Sequence, residues 1–172
     1  EIEAAAEACR AARETWANAA GSLRADLLER WACDLESRRD RLVDLIVREV
    51  AKPRRAAEEE VGRAVAHARI AAELACDPAQ ASLRIAPGVA AAQHPHGVVG
   101  LITPWNNPLA IPVGKVAPAL AFGNAAVLKP APEASATALA LLESLARAGL
   151  PAGLVNVVLG DGTTARALCR EA

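Results

Sequence analysis

The chain has 172 residues, 53% hydrophobic and 23% charged, and its 19 Lys and Arg nearly balance 20 Asp and Glu, for a formal charge of -1. That length allows one domain with a buried core, and the charge balance argues against a nucleic-acid binder, which carries a basic surplus on one face. No charge-free run of about 18 apolar residues is present to span a membrane, and no signal-peptide pattern opens the chain. It starts at Glu1 and lacks Met altogether, so the expectation is a piece of something longer or a processed product.

Composition changes near residue 80: 29 of the 39 charged residues lie in residues 1–80, whereas nine of the 11 prolines and nine of the 11 glycines lie after it. The first part reads as amphipathic helices and the second as compact α/β with many turns. Helix formers fill residues 3–18 and end near Gly21. From Ser22, an acceptable N-cap, the positions Leu23, Leu27, Leu28, Trp31, Leu35, Leu42, Leu45 and Ile46 recur mostly at helical spacing, predicting one helix that Pro53 stops. A third helix is expected over residues 56–76, with Val61, Val65, Ala68 and Ala72 packing and Glu58, Glu59, Arg63 and Arg69 on a solvated face.

Past Pro78 the pattern turns to β. Leu83-Arg84-Ile85 and residues 89–93 flank Pro87-Gly88, which predicts a hairpin ending at Gln93. Residues 97–103 form a buried strand that ends at Pro104, and Pro108 opens a helix running to about Phe122. A strand over residues 125–129, a helix over 135–148, a strand over 154–159 and a helix from Thr163 to Arg170 complete the series. The fold class is therefore α/β: N-terminal amphipathic helices (1–80), a short β-hairpin (81–97) and a doubly wound parallel sheet (98–172). Such a sheet holds ligands at the carboxyl ends of its strands.

Several segments compete for chemistry. Gly160-Asp161-Gly162-Thr163-Thr164-Ala165 fits G-x-G-x-x-A between a strand and a helix, although not at the sheet's first βα turn. His94-Pro95-His96 has no Asp, Glu or Cys at ligand spacing, so a surface loop is expected and no metal site. Cys9, Cys33, Cys76 and Cys169 are scattered, with no C-x-x-C pair, and read as reduced, partly buried thiols in a reducing, cytoplasmic compartment. Thr103-Pro104-Trp105-Asn106-Asn107-Pro108 makes a rigid strand-to-helix corner, where the Asn106 amide can stabilise an oxyanion without titrating. Lys129, one of three lysines beside 16 arginines, falls at a strand tip, where it serves either as a donor to nucleotide oxygens or as a capping or solvated lysine.

The runs G-V-V-G-L-I-T-P-W-N-N-P-L, G-K-V-A-P-A-L-A-F-G-N-A-A-V-L-K-P-A-P-E-A-S and G-L-P-A-G-L-V-N-V-V-L-G follow one another in a way that closely resembles the aldehyde dehydrogenase superfamily. The stretch from Trp31 to Arg41 and that from Glu49 to Pro53 resemble its helical lead-in, so the likeness covers the whole chain but only the first part of the family's plan, a single incomplete cofactor-binding domain. The resemblance implies that Asn106 polarises the aldehyde carbonyl and holds the thiohemiacetal oxygen. It implies that Ile102, Thr103, Pro104 and Trp105 line the cofactor cleft, that Lys129 bonds the adenosine ribose, and that Gly162 and Thr163 lie beside the adenine.

Two positions depart from the pattern. Pro132 stands where a ribose-binding Glu is frequent, with Glu133 one residue later, which leaves NAD and NADP both open as cofactor. Asn107 replaces an aromatic or apolar residue beside the substrate tunnel. The family's nucleophilic Cys and general-base Glu lie in motifs outside these 172 residues, and Cys169 has no motif around it. The expected function is the N-terminal part of an NAD(P)-dependent aldehyde dehydrogenase that forms an acid through a thioester. Its substrate is a small aldehyde, its full-length form is a homo-oligomer, and the 172 residues alone are inactive. Two rivals stand beside this reading: a non-catalytic nucleotide-binding or subunit-interaction module, and a conventional Rossmann oxidoreductase built around Gly160 and Gly162.

Overall fold

The computed structural model describes residues 1–77, 82–92 and 94–171; the boundaries expected at Pro78 and Gln93 lie outside the described residues. Helix α1 (Ile2–Ala17) buries Ala6, Cys9 and Trp16 along one stripe, and the Trp16 indole N–H donates to the Leu120 carbonyl at 2.9 Å. The single helix expected from Ser22 to Pro53 is two: α2 (Gly21–Ser37) and α3 (Arg39–Val50), broken at Arg38. The reason is visible in the side chains. Six consecutive polar residues, Glu36 to Arg41, interrupt the apolar stripe, and the Asp34 carbonyl at the end of α2 is shared between the Ser37 hydroxyl, at 2.8 Å, and the Arg38 N–H, at 3.2 Å. The break lets α3 turn Leu42, Val43 and Ile46 inward.

Helix α4 (Arg54–Cys76) starts directly after Pro53 and presents Ala57, Ala64, Ala68 and Ala71, small residues that let α2 pack closely along it. Strands β1 (Ser82–Ala86) and β2 (Val89–Ala92) make the expected antiparallel hairpin, with Gly88 at φ 79° in the turn. It stands as a separate two-stranded sheet with Ile85 and Val89 exposed.

The core sheet is parallel, in the order β3 (Val98–Thr103), β4 (Ala125–Pro130), β5 (Val155–Val157). Every residue of the central β4 is buried. Strand β5 is shorter than the expected 154–159, yet the ladder reaches one residue beyond it at each end: Ala126 N donates to Leu154 O at 2.8 Å and Val158 N to Leu128 O at 2.9 Å. Helices α5 (Ala110–Ala121) and α6 (Ser135–Arg147) are the crossovers and pack with α2. Right-handed crossovers place both on one face. Helix α1 and α7 (Gly162–Glu171) pack together on the other, so the sheet is covered twice. Leu27, Trp31, Ile46, Leu120, Leu141 and Leu145 fill the space under α2, and each such side chain contributes roughly 2 kcal/mol by leaving water.

Candidate functional site

The parallel register puts Ile102 beside Lys129 and Thr103 beside Pro130, so the tips of β3 and β4 end side by side. Beyond Thr103 the chain leaves the sheet, and Pro104, Trp105 and Asn106 are all exposed at this carboxyl edge. The corner's far end is tied down. Helix α5 starts at Ala110, two residues after the expected Pro108, because its cap comes from another helix: one oxygen of Glu60 accepts from the backbone N–H groups of Leu109 (2.9 Å) and Ala110 (3.1 Å). Glu60 is fully buried, and its other oxygen pairs with the Lys52 ammonium. Lys52 also donates to Asn107 Oδ1 at 3.0 Å, and Arg63 reaches the same oxygen at 3.3 Å, so Arg63 is not merely a solvated charge. Arg69 pairs with Glu29 across to α2, while Glu58 and Glu59 are exposed as expected.

Two polar groups at the strand tips lack partners among the described residues. Lys129 is only 4% exposed, yet among the described residues it makes no hydrogen bond or ion pair. The Thr103 hydroxyl is buried and likewise unpaired. Burying such groups without partners is unfavourable. A ligand offering hydroxyl or phosphoryl oxygens at this edge would give the Lys129 ammonium a partner, and a dinucleotide carries such oxygens.

After Lys129 the chain makes a 3-10 turn (Pro132–Ala134) in which Pro132 and Glu133 are exposed. Helix α6 then begins under a carboxylate from α3: Glu49 accepts from the Thr137 N–H at 2.9 Å as well as from Ala136 N–H and the Thr137 hydroxyl. The glycine-rich turn before α7 is also capped from within. Gly160 sits at φ 146°, a conformation closed to side chains, and Asp161 Oδ1 accepts from Thr163 N–H at 2.8 Å and from its hydroxyl. The Thr163 hydroxyl first, and its N–H second, hold the Asp161 carboxyl below the usual range. A carboxylate thus stands where a pyrophosphate would need free N–H groups, which argues against the conventional fingerprint. Gly162 and Thr163 are exposed on the first turn of α7.

Of the remaining candidates, His94 and His96 are exposed, and no group of three or more His, Cys, Asp or Glu side chains assembles among the described residues. Only Cys9 is buried; Cys33, Cys76 and Cys169 are exposed, which corrects the expectation of partly buried thiols. No helix among the described residues is long and apolar enough to cross a membrane. The Lys52–Glu60 pair escaped the sequence reading although a signal was present. Glu60 falls on the α4 stripe of Ala57 and Ala64, a charge at a packing position.

The sequence profile of the aldehyde dehydrogenase family matches residues 1–172. Alpha-ketoglutarate semialdehyde dehydrogenase of Haloferax volcanii is 39% identical over 167 residues, which make up 95% of this chain and 35% of that protein. The crystal structure of an NAD-dependent aldehyde dehydrogenase from Sinorhizobium meliloti superposes with a TM-score of 0.91 at 32% identity, covering 99% of this chain and 35% of that one. An NADP dependent enzyme of E. coli superposes with a TM-score of 0.88 at 34% identity, over 93% of this chain and 34% of its own. The chain therefore spans about a third of the length of the relatives it matches.

Proposed function

The chain belongs to the aldehyde dehydrogenase family, and from that premise we propose that it forms the cofactor-binding part of an NAD(P)-dependent aldehyde dehydrogenase. A semialdehyde, the class named for the haloarchaeal relative, is the substrate to try first. The observation that carries this reading is the sheet edge itself: an exposed side-chain amide, Asn106, follows the tip of β3, and a buried lysine, Lys129, with no partner among the described residues lies at the tip of β4. Lys129 would hold a dinucleotide, with Ile102, Thr103, Pro104 and Trp105 lining it and Gly162 and Thr163 flanking the base. When bound, that cofactor supplies a hydride acceptor.

The part of this chain in the chemistry is electrostatic. A Cys thiolate from outside these residues adds to the aldehyde carbon, a C–S bond forms, and the carbonyl π pair moves to oxygen. Asn106 donates its Nδ2–H to that oxygen, and an amide does so without taking up or losing a proton. Collapse of that oxyanion would break the C–H bond, release its hydrogen as hydride to the bound cofactor and leave a thioester, from which water, activated by a carboxylate also outside these residues, displaces the thiolate to give the acid. By this account the 172 residues alone give no turnover.

The test is Asn106→Ala in the full-length enzyme. Losing one oxyanion donor costs about 3 kcal/mol, on the order of a hundredfold in the single-turnover rate, with cofactor affinity nearly unchanged. An unchanged chemical step would refute the assignment.

A further inference from the structure

The Lys52–Glu60 pair lies outside every role assigned so far, although it touches the corner that carries Asn106. Helix α3 ends at Ala51 in the left-handed region, φ 52°, and Lys52 follows directly. The side chain of Lys52 is 15% exposed and that of Glu60 fully buried, so the pair is shielded from solvent and from salt. A buried carboxylate persists only with its lone pairs satisfied. Here one Glu60 oxygen takes the ammonium and the other takes two backbone N–H groups at the start of α5. The anchor is thus complete, and the ammonium still has a donor to spare. That donor goes to Asn107 Oδ1 at 3.0 Å.

We infer that Lys52 is a positioning residue for the Asn106 amide, acting through Asn107 from an anchor on Glu60. This inference rests on the oxyanion role of Asn106. The geometry supports it at each link. Pro104 and Pro108 fix φ on either side of the corner, which leaves the freedom of residues 105–107 between them. The Asn107 side chain is pinned by two cations, Lys52 and Arg63, and its backbone is joined directly to Asn106. The Glu60 bonds to Leu109 and Ala110 fix the exit of the corner to the same point. Side chain and exit are therefore referred to one buried carboxylate. An amide placed wrongly by about 1 Å loses on the order of a hundredfold in rate, so such an anchor has a measurable task. An Asn in place of an apolar residue at position 107 is what allows the hand-off, since only a polar side chain accepts a second of the ammonium's three N–H groups.

The experiment is a double-mutant cycle in the full-length enzyme, read as single-turnover rate and cofactor Kd. Lys52→Met and Asn107→Ala are each made alone and in the Asn106→Ala background. If Lys52 acts through Asn106, each substitution lowers the rate at least about tenfold when Asn106 is present, less than about twofold when it is already Ala, and leaves cofactor Kd within about twofold. A purely structural pair predicts the same loss in both backgrounds, and that result overturns the inference, as does no loss in either. Asn107→Ala leaves the Lys52–Glu60 pair intact, so it decides the matter even if Lys52→Met fails to fold. A harmless Asn106→Ala would remove the oxyanion reading and this inference together. A full loss on Asn106→Ala with additive losses at Lys52 and Asn107 would remove this inference alone.

Discussion

Lys129 lies one residue before the end of β4, a strand buried throughout, so its methylene stem lies in the core and only the ammonium meets the sheet edge. Both cofactors offer it ribose oxygens, but only NADP adds a 2′-phosphate. Pro132 brings no carboxylate to that place, and Glu133, exposed in the following turn, brings one only if it turns toward the cleft. We therefore expect the full-length enzyme to use both cofactors, with discrimination below about 3 kcal/mol. Lys129→Ala should lower kcat/KM for NADP more than for NAD, and equal losses would show that Lys129 does not sense the 2′ position. At this scale the strand tips were legible from sequence because a strand followed by Pro or by a helix start has only one place to end. Ala51 was not legible. A non-glycine residue in the left-handed region costs on the order of 1 kcal/mol, and nothing in the Val50-Ala51-Lys52 stretch marks that conformation.

Asp34 shows how elements are joined. It lies on α2, and its carboxylate accepts from the Ser144 hydroxyl of α6 at 2.7 Å, from Arg147 Nε of α6 at 3.1 Å and from Arg38 at 3.3 Å. Burial pushes this carboxyl up, but the Ser144 hydroxyl and then Arg147 outweigh it and hold it below its ordinary value of 3.8. A depressed folded pKa means the unfolded chain takes up protons first. The stability Asp34 contributes is then complete above about pH 4 and is lost as pH falls below that toward the folded value. Asp34→Asn should cost about 1–2 kcal/mol at pH 7 and flatten the fall in stability below about pH 4. Urea unfolding at several pH values checks this, and parallel curves for the two proteins would exclude the linkage. The helices themselves were readable from apolar spacing and Pro53, and so was the start of α6 at Ser135. The start of α5 was not, because Glu60 caps it from another helix and no local signal marks that cap.

At the scale of the whole molecule, α1 closes the sheet's second face. Cys9 sits at that contact, fully buried, with its thiol directed at the Ala126 carbonyl at 3.5 Å and accepting from Asn156 Nδ2 at 3.2 Å. Burial pushes the Cys9 thiol up, with the Asn156 bond only partly opposing it, so it is both shielded and poorly ionised. A thiol reagent at pH 8 should therefore label Cys33, Cys76 and Cys169 quickly and Cys9 only at the rate of unfolding, as mass spectrometry of the labelled peptides would show. Fast labelling of Cys9 would mean that α1 opens locally. From the sequence alone came the α/β class, the hairpin, the parallel crossovers and the candidacy of Asn106 and Lys129. Periodicity, turn residues and motif order are local properties, and a chain displays them unfolded. Only the tertiary structure decided that α2 and α3 are separate and that an Asp161 carboxylate occupies the glycine-rich turn. It alone joined Lys52, Glu60 and Asn107, since a hydrogen bond across 55 residues exists only once packing has brought its ends together.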